Sequence, residues 1–308
     1  MSGPVSEPVT APVAEPVTGS FPSPADGLAV ATYRWSDVPG APRGVVQIAH
    51  GLAEHGRRYG RLATALTAAG LVVAASDHRG HGASTGPGVP LGGFGAAGFA
   101  GFTADIARHG ELLREEFGDL PLFLLAHSLG SMGAQSVLLK HPGLYDGVVL
   151  SGSTALDGFL AVVQSLPADQ PGLAAFNAPF EHRTGFEWLS RDEAEVDAYV
   201  ADPLCGFPTE DAIMAGVLAT AAATADPERL AALRPDLPVL VVSGTEDPVG
   251  GSGGELLERL VERYRAAGLR DVTLRLWPQA RHEVFNETNR DEVTDQVVGW
   301  LLERAGAA

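Results

Sequence analysis

Ser128, Asp247 and His282 are the residues of this chain best equipped to break an acyl bond. A serine hydroxyl is a weak nucleophile at neutral pH. It becomes a strong one only beside a base that takes its proton and a carboxylate that orients that base. Each of the three follows an apolar run of strand length: Ser128 after Leu122–Ala126, Asp247 after Pro238–Val242, His282 after Val272–Trp277. The order Ser…Asp…His along the chain is the one used by a particular α/β architecture. Asp236 precedes its strand and so falls at the wrong end of a sheet, whereas Glu246 stands beside Asp247 and could replace it. His282 also has a bland reading, a solvent-facing histidine beside Arg281, which its place after the last strand outweighs.

The surroundings of Ser128 suit a nucleophile. In PLFLLAHSLGS (Pro121–Ser131) an apolar run too short for a helix stops at the serine, and Met132–Lys140 reads as a helix. A sharp strand-to-helix turn lifts the hydroxyl out of the sheet, and the backbone N–H of Leu129 is left free for a developing oxyanion. The second donor is expected from the loop after Val45–Ala49, where Gly51 permits a sharp turn and presents the N–H of Leu52. The segment departs from G-x-S-x-G at Ala126.

These positions require a parallel sheet. Strands are expected at Leu28–Trp35, Val45–Ala49, Leu71–Ser76, Leu122–Ala126, Gly147–Ser151, Pro238–Val242 and Val272–Trp277. Helical patterns at Arg57–Ala69, Phe102–Phe117, Glu255–Ala267 and Asp291–Glu303 separate them. Near-continuous apolar strands alternating with helices imply a sheet covered on both faces. The rhythm breaks over 153–224, which holds short helical pieces and many aromatic residues, so the expected organisation is an α/β core of 21–152 and 225–308 with a helical lid. In the lid, Phe159, Val162, Val163 and Leu166 share one helical face, suited to packing on the core, to walling an acyl chain or to touching lipid.

The totals agree with an enzyme. The 308 residues are 45% hydrophobic and 19% charged, and the net charge of −17 argues against nucleic acid or an anionic membrane surface as partner. The single cysteine, Cys205, excludes an internal disulfide and a cysteine-rich metal site. Residues 1–20 repeat Pro, Val and Thr and read as a disordered tail without signal-peptide features, so a cytoplasmic enzyme is expected.

HGLAEHGRRYGRLA (His50–Ala63), SDHRGHGAST (Ser76–Thr85), AHSLGS (Ala126–Ser131), SGTEDPV (Ser243–Val249) and RHEVFNE (Arg281–Glu287) resemble the α/β-hydrolase superfamily. Within it they are most similar to the monoacylglycerol lipase and lysophospholipase-like serine hydrolases. The resemblance covers the chain from about Phe21 onward, including a lid-like stretch at Arg183–Phe207. It implies an α/β-hydrolase fold, Ser128 as nucleophile, Asp247 and His282 as its relay, Leu52 and Leu129 as oxyanion donors, and no cofactor or metal. Where such proteins usually read G-H-S-x-G-G, this chain has Ala126 and Ser131.

Other motifs carry less. Gly93–Gly98 matches G-x-G-x-x-G but follows no strand, so it is not a dinucleotide site. His78-x-x-His81 lacks a compact third ligand for a metal, and Asp77 and Arg79 are expected to organise that loop. Glu54 and His55 are placed to shape the oxyanion loop. The expected activity is hydrolysis of carboxylic esters, monoacylglycerols or similar single-chain lipids, through an acyl-enzyme, with transient lipid-surface contact by the lid. The alternatives are a lysophospholipase, a general carboxylesterase, a peptidase, a perhydrolase or a non-catalytic binding module.

Overall fold

The computed structural model describes residues 13–165 and 172–306. Among these, eight strands form one sheet: β1 (Val17–Pro22), β2 (Ala29–Trp35), β3 (Gly44–Ala49), β4 (Leu71–Ser76), β5 (Leu122–His127), β6 (Gly147–Ser151), β7 (Val239–Gly244) and β8 (Val272–Trp277). The spatial order is β1-β2-β4-β3-β5-β6-β7-β8. From β4 to β8 neighbours run parallel, while β2 joins β4, and β1 joins β2, antiparallel. All residues of β3 to β7 are buried, which is why their sequences are apolar without alternation.

Helices cover both faces. They are α1 (Gly60–Ala68), α2 (Gly98–Phe117), α3 (Leu129–Lys140), α4 (Leu156–Ser165), α5 (Glu193–Ala201), α6 (Asp211–Ala219), α7 (Ala221–Ala225), α8 (Pro227–Leu230), α9 (Glu255–Ala266) and α10 (Arg290–Ala305). Alternate strand residues feed different cores. Val46, Ile48, Phe123 and Leu125 pack with Leu62 and Leu66 of α1 and Val293, Val297 and Leu301 of α10. Val45, Leu122, Leu124 and Val148 pack with Phe102 and Ile106 of α2, Val137 of α3 and Leu257 of α9. No described helix is long and apolar enough to cross a membrane.

One expectation needs correction. The segment 1–20 read as a tail, yet its residues 17–20 belong to β1, which pairs with β2 in the register Val17↔Arg34 to Pro22↔Ala29. The Pro- and Val-rich composition concealed a strand held by backbone hydrogen bonds and one buried side chain, Phe21, whose ring stacks on His109 at 5.5 Å. Proline is tolerated at the end of such an edge strand. Residues 1–12 lie outside the described residues.

Between β6 and β7 the described residues of the insertion are helical or irregular, as the break in rhythm indicated. On the shared face of α4, Phe159 is buried and stacks parallel to Phe176 at 6.2 Å, while Val162 and Val163 are partly buried against the core. Leu166 lies outside the described residues.

Candidate active site

Ser128 joins β5 directly to α3 and holds φ 50°, a left-handed backbone that a non-glycine residue adopts only when its surroundings enforce it. They do so from both sides. The Ser128 N–H donates to the Ser151 carbonyl (2.9 Å), and the Ser131 hydroxyl donates back to the Ser128 carbonyl (2.6 Å). Ser131 is therefore a brace in the first turn of α3. Gly130 packs so tightly on the loop after β3 that a Cβ there would lie 2.3 Å from the Ala49 carbonyl oxygen, and its N–H donates to the His50 carbonyl (3.1 Å). Ala126, in β5, is wholly buried in the core shared with α2 and α3, so its methyl is accommodated by core packing.

His282 and Asp247 meet across the ends of β8 and β7. His282 Nδ1 lies 2.9 Å from Asp247 Oδ1, and both side chains are buried. The carboxylate also accepts from the Ser243 hydroxyl (2.6 Å) and the Val249 N–H (2.9 Å). Burial alone would neutralise His282, but the Asp247 charge and hydrogen bond outweigh it and hold its pKa above the usual value. Burial likewise opposes the Asp247 charge, and His282 with the other donors overcomes it, keeping that pKa low. Glu246 is exposed and Asp236 lies exposed before β7, so neither rivals Asp247. Gly244 permits this meeting, because a Cβ there would lie 1.8 Å from the Ala280 carbonyl oxygen.

The loop after β3 closes the third side. A Cβ at Gly51 would stand 3.2 Å from the Cβ of Ser128, so this backbone passes directly beside the serine. Among the described residues, neither the Leu52 N–H nor the Leu129 N–H has an acceptor. Ala53 carries φ 53° and is held by donation from its N–H to His81 Nε2 (3.1 Å) and by donation to its carbonyl from Tyr199 Oη and the Gly206 N–H (both 2.9 Å).

The histidines of the two family-like loops are spacers. His50 Nδ1 donates to the Gly51 carbonyl (2.7 Å) while its Nε2 accepts the His78 N–H (2.8 Å), and His78 Nε2 donates to the His50 carbonyl (2.9 Å). Burial keeps all three neutral, His81 down to about 4. Asp77 fixes the same loop by accepting from Tyr33 Oη, Gly56 N and Ala83 N, and Arg79, fully buried, binds Asp105, Asp26 and Ser23.

Several participants were missed from the sequence. Arg58 bridges the buried carboxylates of Glu54 (2.6 Å) and Glu283 (2.8 and 2.9 Å), and Glu54 in turn accepts the Gly51 N–H. The two carboxylates flank the oxyanion loop and His282, so one guanidinium ties both loops together. The His127 ring packs against His282 at a tilt of 51°, centroids 4.7 Å apart, and burial followed by the His282 charge lowers its pKa to about 4. Trp188 also packs against His282, ring centroids 4.7 Å apart and planes tilted by 37°. Glu283 adjoins His282, and Ser243 precedes Asp247 by one turn. Proximity in the sequence was the one signal available for them.

Ser128, His282, Leu52, Glu54, Tyr199 and Glu283 line one cavity, roofed from the insertion by Leu173, Trp188 and Leu189. A serine, a buried His–Asp pair and two free amides around one space can form, stabilise and resolve a tetrahedral acyl adduct.

Comparison with known proteins gives the chain a family and relatives. Residues 40–289 match the family described as "Serine aminopeptidase, S33". The chain is 36% identical over 270 residues to the monoacylglycerol lipase of Mycolicibacterium smegmatis, covering 85% of this chain and 89% of that one. It is 30% identical over 292 residues to the monoglyceride lipase of Mus musculus, covering 92% and 90%. Among solved structures it is similar to a thermostable carboxyl esterase from Bacillus coagulans in complex with glycerol, with a TM-score of 0.82, 25% identity and coverage of 95% and 99%. By its fold and its match over most of its length, the chain belongs to the serine aminopeptidase S33 family of α/β hydrolases, in the company of monoacylglycerol lipases.

Proposed function

We propose that this protein hydrolyses carboxylic esters of the monoacylglycerol type through a covalent acyl-enzyme on Ser128. The observation that carries the reading is the buried Asp247–His282 pair at 2.9 Å, sharing a cavity with a serine held at φ 50°. His282 takes the Ser128 proton through Nε2 as Oγ attacks the ester carbonyl carbon, and Asp247 keeps the imidazole oriented and balances its charge. The Leu52 and Leu129 amides donate to the oxyanion. Collapse of the adduct breaks the ester bond, and His282 returns the proton to the departing alcohol. Water, deprotonated by the same imidazole, then releases the acid and restores Ser128.

The insertion acts as the lid. The cavity beneath it holds only about 10 Å³, far below the ~300–1,000 Å³ of pockets that enclose a drug-sized ligand, so a single-chain lipid enters when the roof shifts. Leu160, exposed on α4, offers an apolar contact to a lipid surface in that movement. The family description raises peptide cleavage as a second reading. An aminopeptidase needs a carboxylate free for the substrate ammonium, whereas Glu54 and Glu283 are both engaged by Arg58, which favours esters.

A substrate panel tests this: monoacylglycerols of graded chain length, lysophospholipids, short p-nitrophenyl esters and aminoacyl anilides, with Ser128→Ala alongside. The expected result is turnover of glycerol monoesters that disappears in Ser128→Ala. Preference for aminoacyl anilides, or wild-type rates in Ser128→Ala, contradicts it.

A further inference from the structure

Where the insertion meets the oxyanion loop, three different metal-ligating side chains converge. A ring nitrogen of His55, a carboxylate oxygen of Asp202 and the sulfur of Cys205 all lie within 4.8 Å of one another. Asp202 and Cys205 come from a single turn after α5, set by donation from Cys205 N to the Asp202 carbonyl (3.0 Å) and from Leu204 N to Asp202 Oδ1 (2.8 Å). That leaves Asp202 Oδ2 facing His55 Nε2 at 2.9 Å. His55 comes from the other side, two residues beyond the left-handed Ala53.

We propose that His55, Asp202 and Cys205 form a binding site for a borderline dication of the zinc class, stapling the insertion to the oxyanion loop. The donor set selects the metal: one thiolate, one imidazole and one carboxylate suit zinc or cobalt, whereas magnesium and calcium call for oxygen alone. The size is close to right. Tetrahedral zinc with bonds of about 2.0–2.3 Å separates its ligand atoms by roughly 3.3–3.6 Å, so the His55–Asp202 pair opens slightly and Cys205 closes by about 1 Å. Water takes the fourth position. Entry is from solvent past Asp202, whose side chain is 31% exposed, beside the exposed Leu204.

Charge favours a dication there. Burial is the largest influence on the thiol and keeps its proton in place in the metal-free protein; Arg58 opposes this, but Glu54, Asp202 and Glu283 outnumber the guanidinium, so the surroundings are net negative. On binding, the metal takes the place of the thiol proton, which passes to solvent as the metal–sulfur bond forms, and of the proton between His55 Nε2 and Asp202 Oδ2, which moves to Nδ1 of the neutral ring or to solvent.

Occupancy would reach the catalytic cavity through backbone already in place. The Ala53 carbonyl accepts from Tyr199 of α5 and from Gly206, directly after Cys205. A metal between His55 and the 202–205 turn therefore holds the roof down and the Leu52 loop fixed. Its effect on turnover rests on the hydrolase reading above, so the test of the site itself is spectroscopic.

Untagged full-length protein, reduced and metal-free, is titrated with Co²⁺. The expected result is a near-ultraviolet thiolate-to-cobalt charge-transfer band saturating at one equivalent and displaced by Zn²⁺, which also raises the unfolding temperature. Cys205→Ser, with metal-free stability near that of wild type, loses the band and the thermal shift, and Asp202→Asn and His55→Gln lose the thermal shift. Absence of the band in wild type, or a thermal shift that persists in both Cys205→Ser and Asp202→Asn, overturns the site. A site confirmed by these readouts stands even if ester turnover is not found.

Discussion

In the proposed mechanism, His282 decides by its protonation state when the site can work. It serves as a base only when neutral, and although burial presses its pKa down, Asp247 holds it above the usual 6.5. The acid limb of kcat/KM is therefore expected above pH 6.5, with activity rising as His282 loses its proton. Asp247→Asn removes the charge that opposes burial, so the limb moves to lower pH while the rate drops by about 10⁴. Initial rates across pH for the two proteins check this, and a limb at the same pH in both contradicts it. At the same scale Ser128 accepts an unfavourable φ because Ser151, Ser131 and Gly130 over-determine it. Ala126 is a tolerated departure for a corresponding reason: its methyl fills core space.

At the scale of elements, the loop after β3 and the loop after β8 must keep a fixed relation, and Arg58 supplies it. Arg58→Met leaves the buried carboxylates of Glu54 and Glu283 without their counter-charge, though each keeps a neutral donor, and is expected to cost about 3–5 kcal/mol. Adding Glu54→Gln and Glu283→Gln should restore most of that stability, and chemical denaturation of the single and triple variants measures it. An unchanged midpoint in Arg58→Met would refute the coupling. This network also marks how far the sequence could be read. Strands β3 to β7 were legible because burial on both faces leaves an apolar run, and a parallel topology brings the residues of the proposed triad to one end of the sheet. Arg58, Glu283 and Trp188 were not legible, since their roles depend on contacts between segments up to 225 residues apart, which no local pattern encodes. β1 was hidden because its stability is in its backbone pairing with β2.

At the scale of the whole molecule, the sheet gathers these loops at one edge and the insertion covers them. The amino-terminal strand belongs to that scaffold: Phe21 is buried against His109 at the far edge, away from the catalytic loops. Phe21→Ala is expected to lower stability by about 3 kcal/mol, as for large core aromatics, with kcat/KM at 25 °C little changed. A thermal midpoint equal to wild type would return β1 to the status of a passive tail. The most direct test of the central claim is to trap the acyl-enzyme. The protein is incubated with a fluorophosphonate, digested, and the modified peptide sequenced by mass spectrometry. The account predicts a single adduct on Ser128, absent in Ser128→Ala and strongly slowed in His282→Ala. An intact, folded protein that remains unlabelled at Ser128 would contradict it.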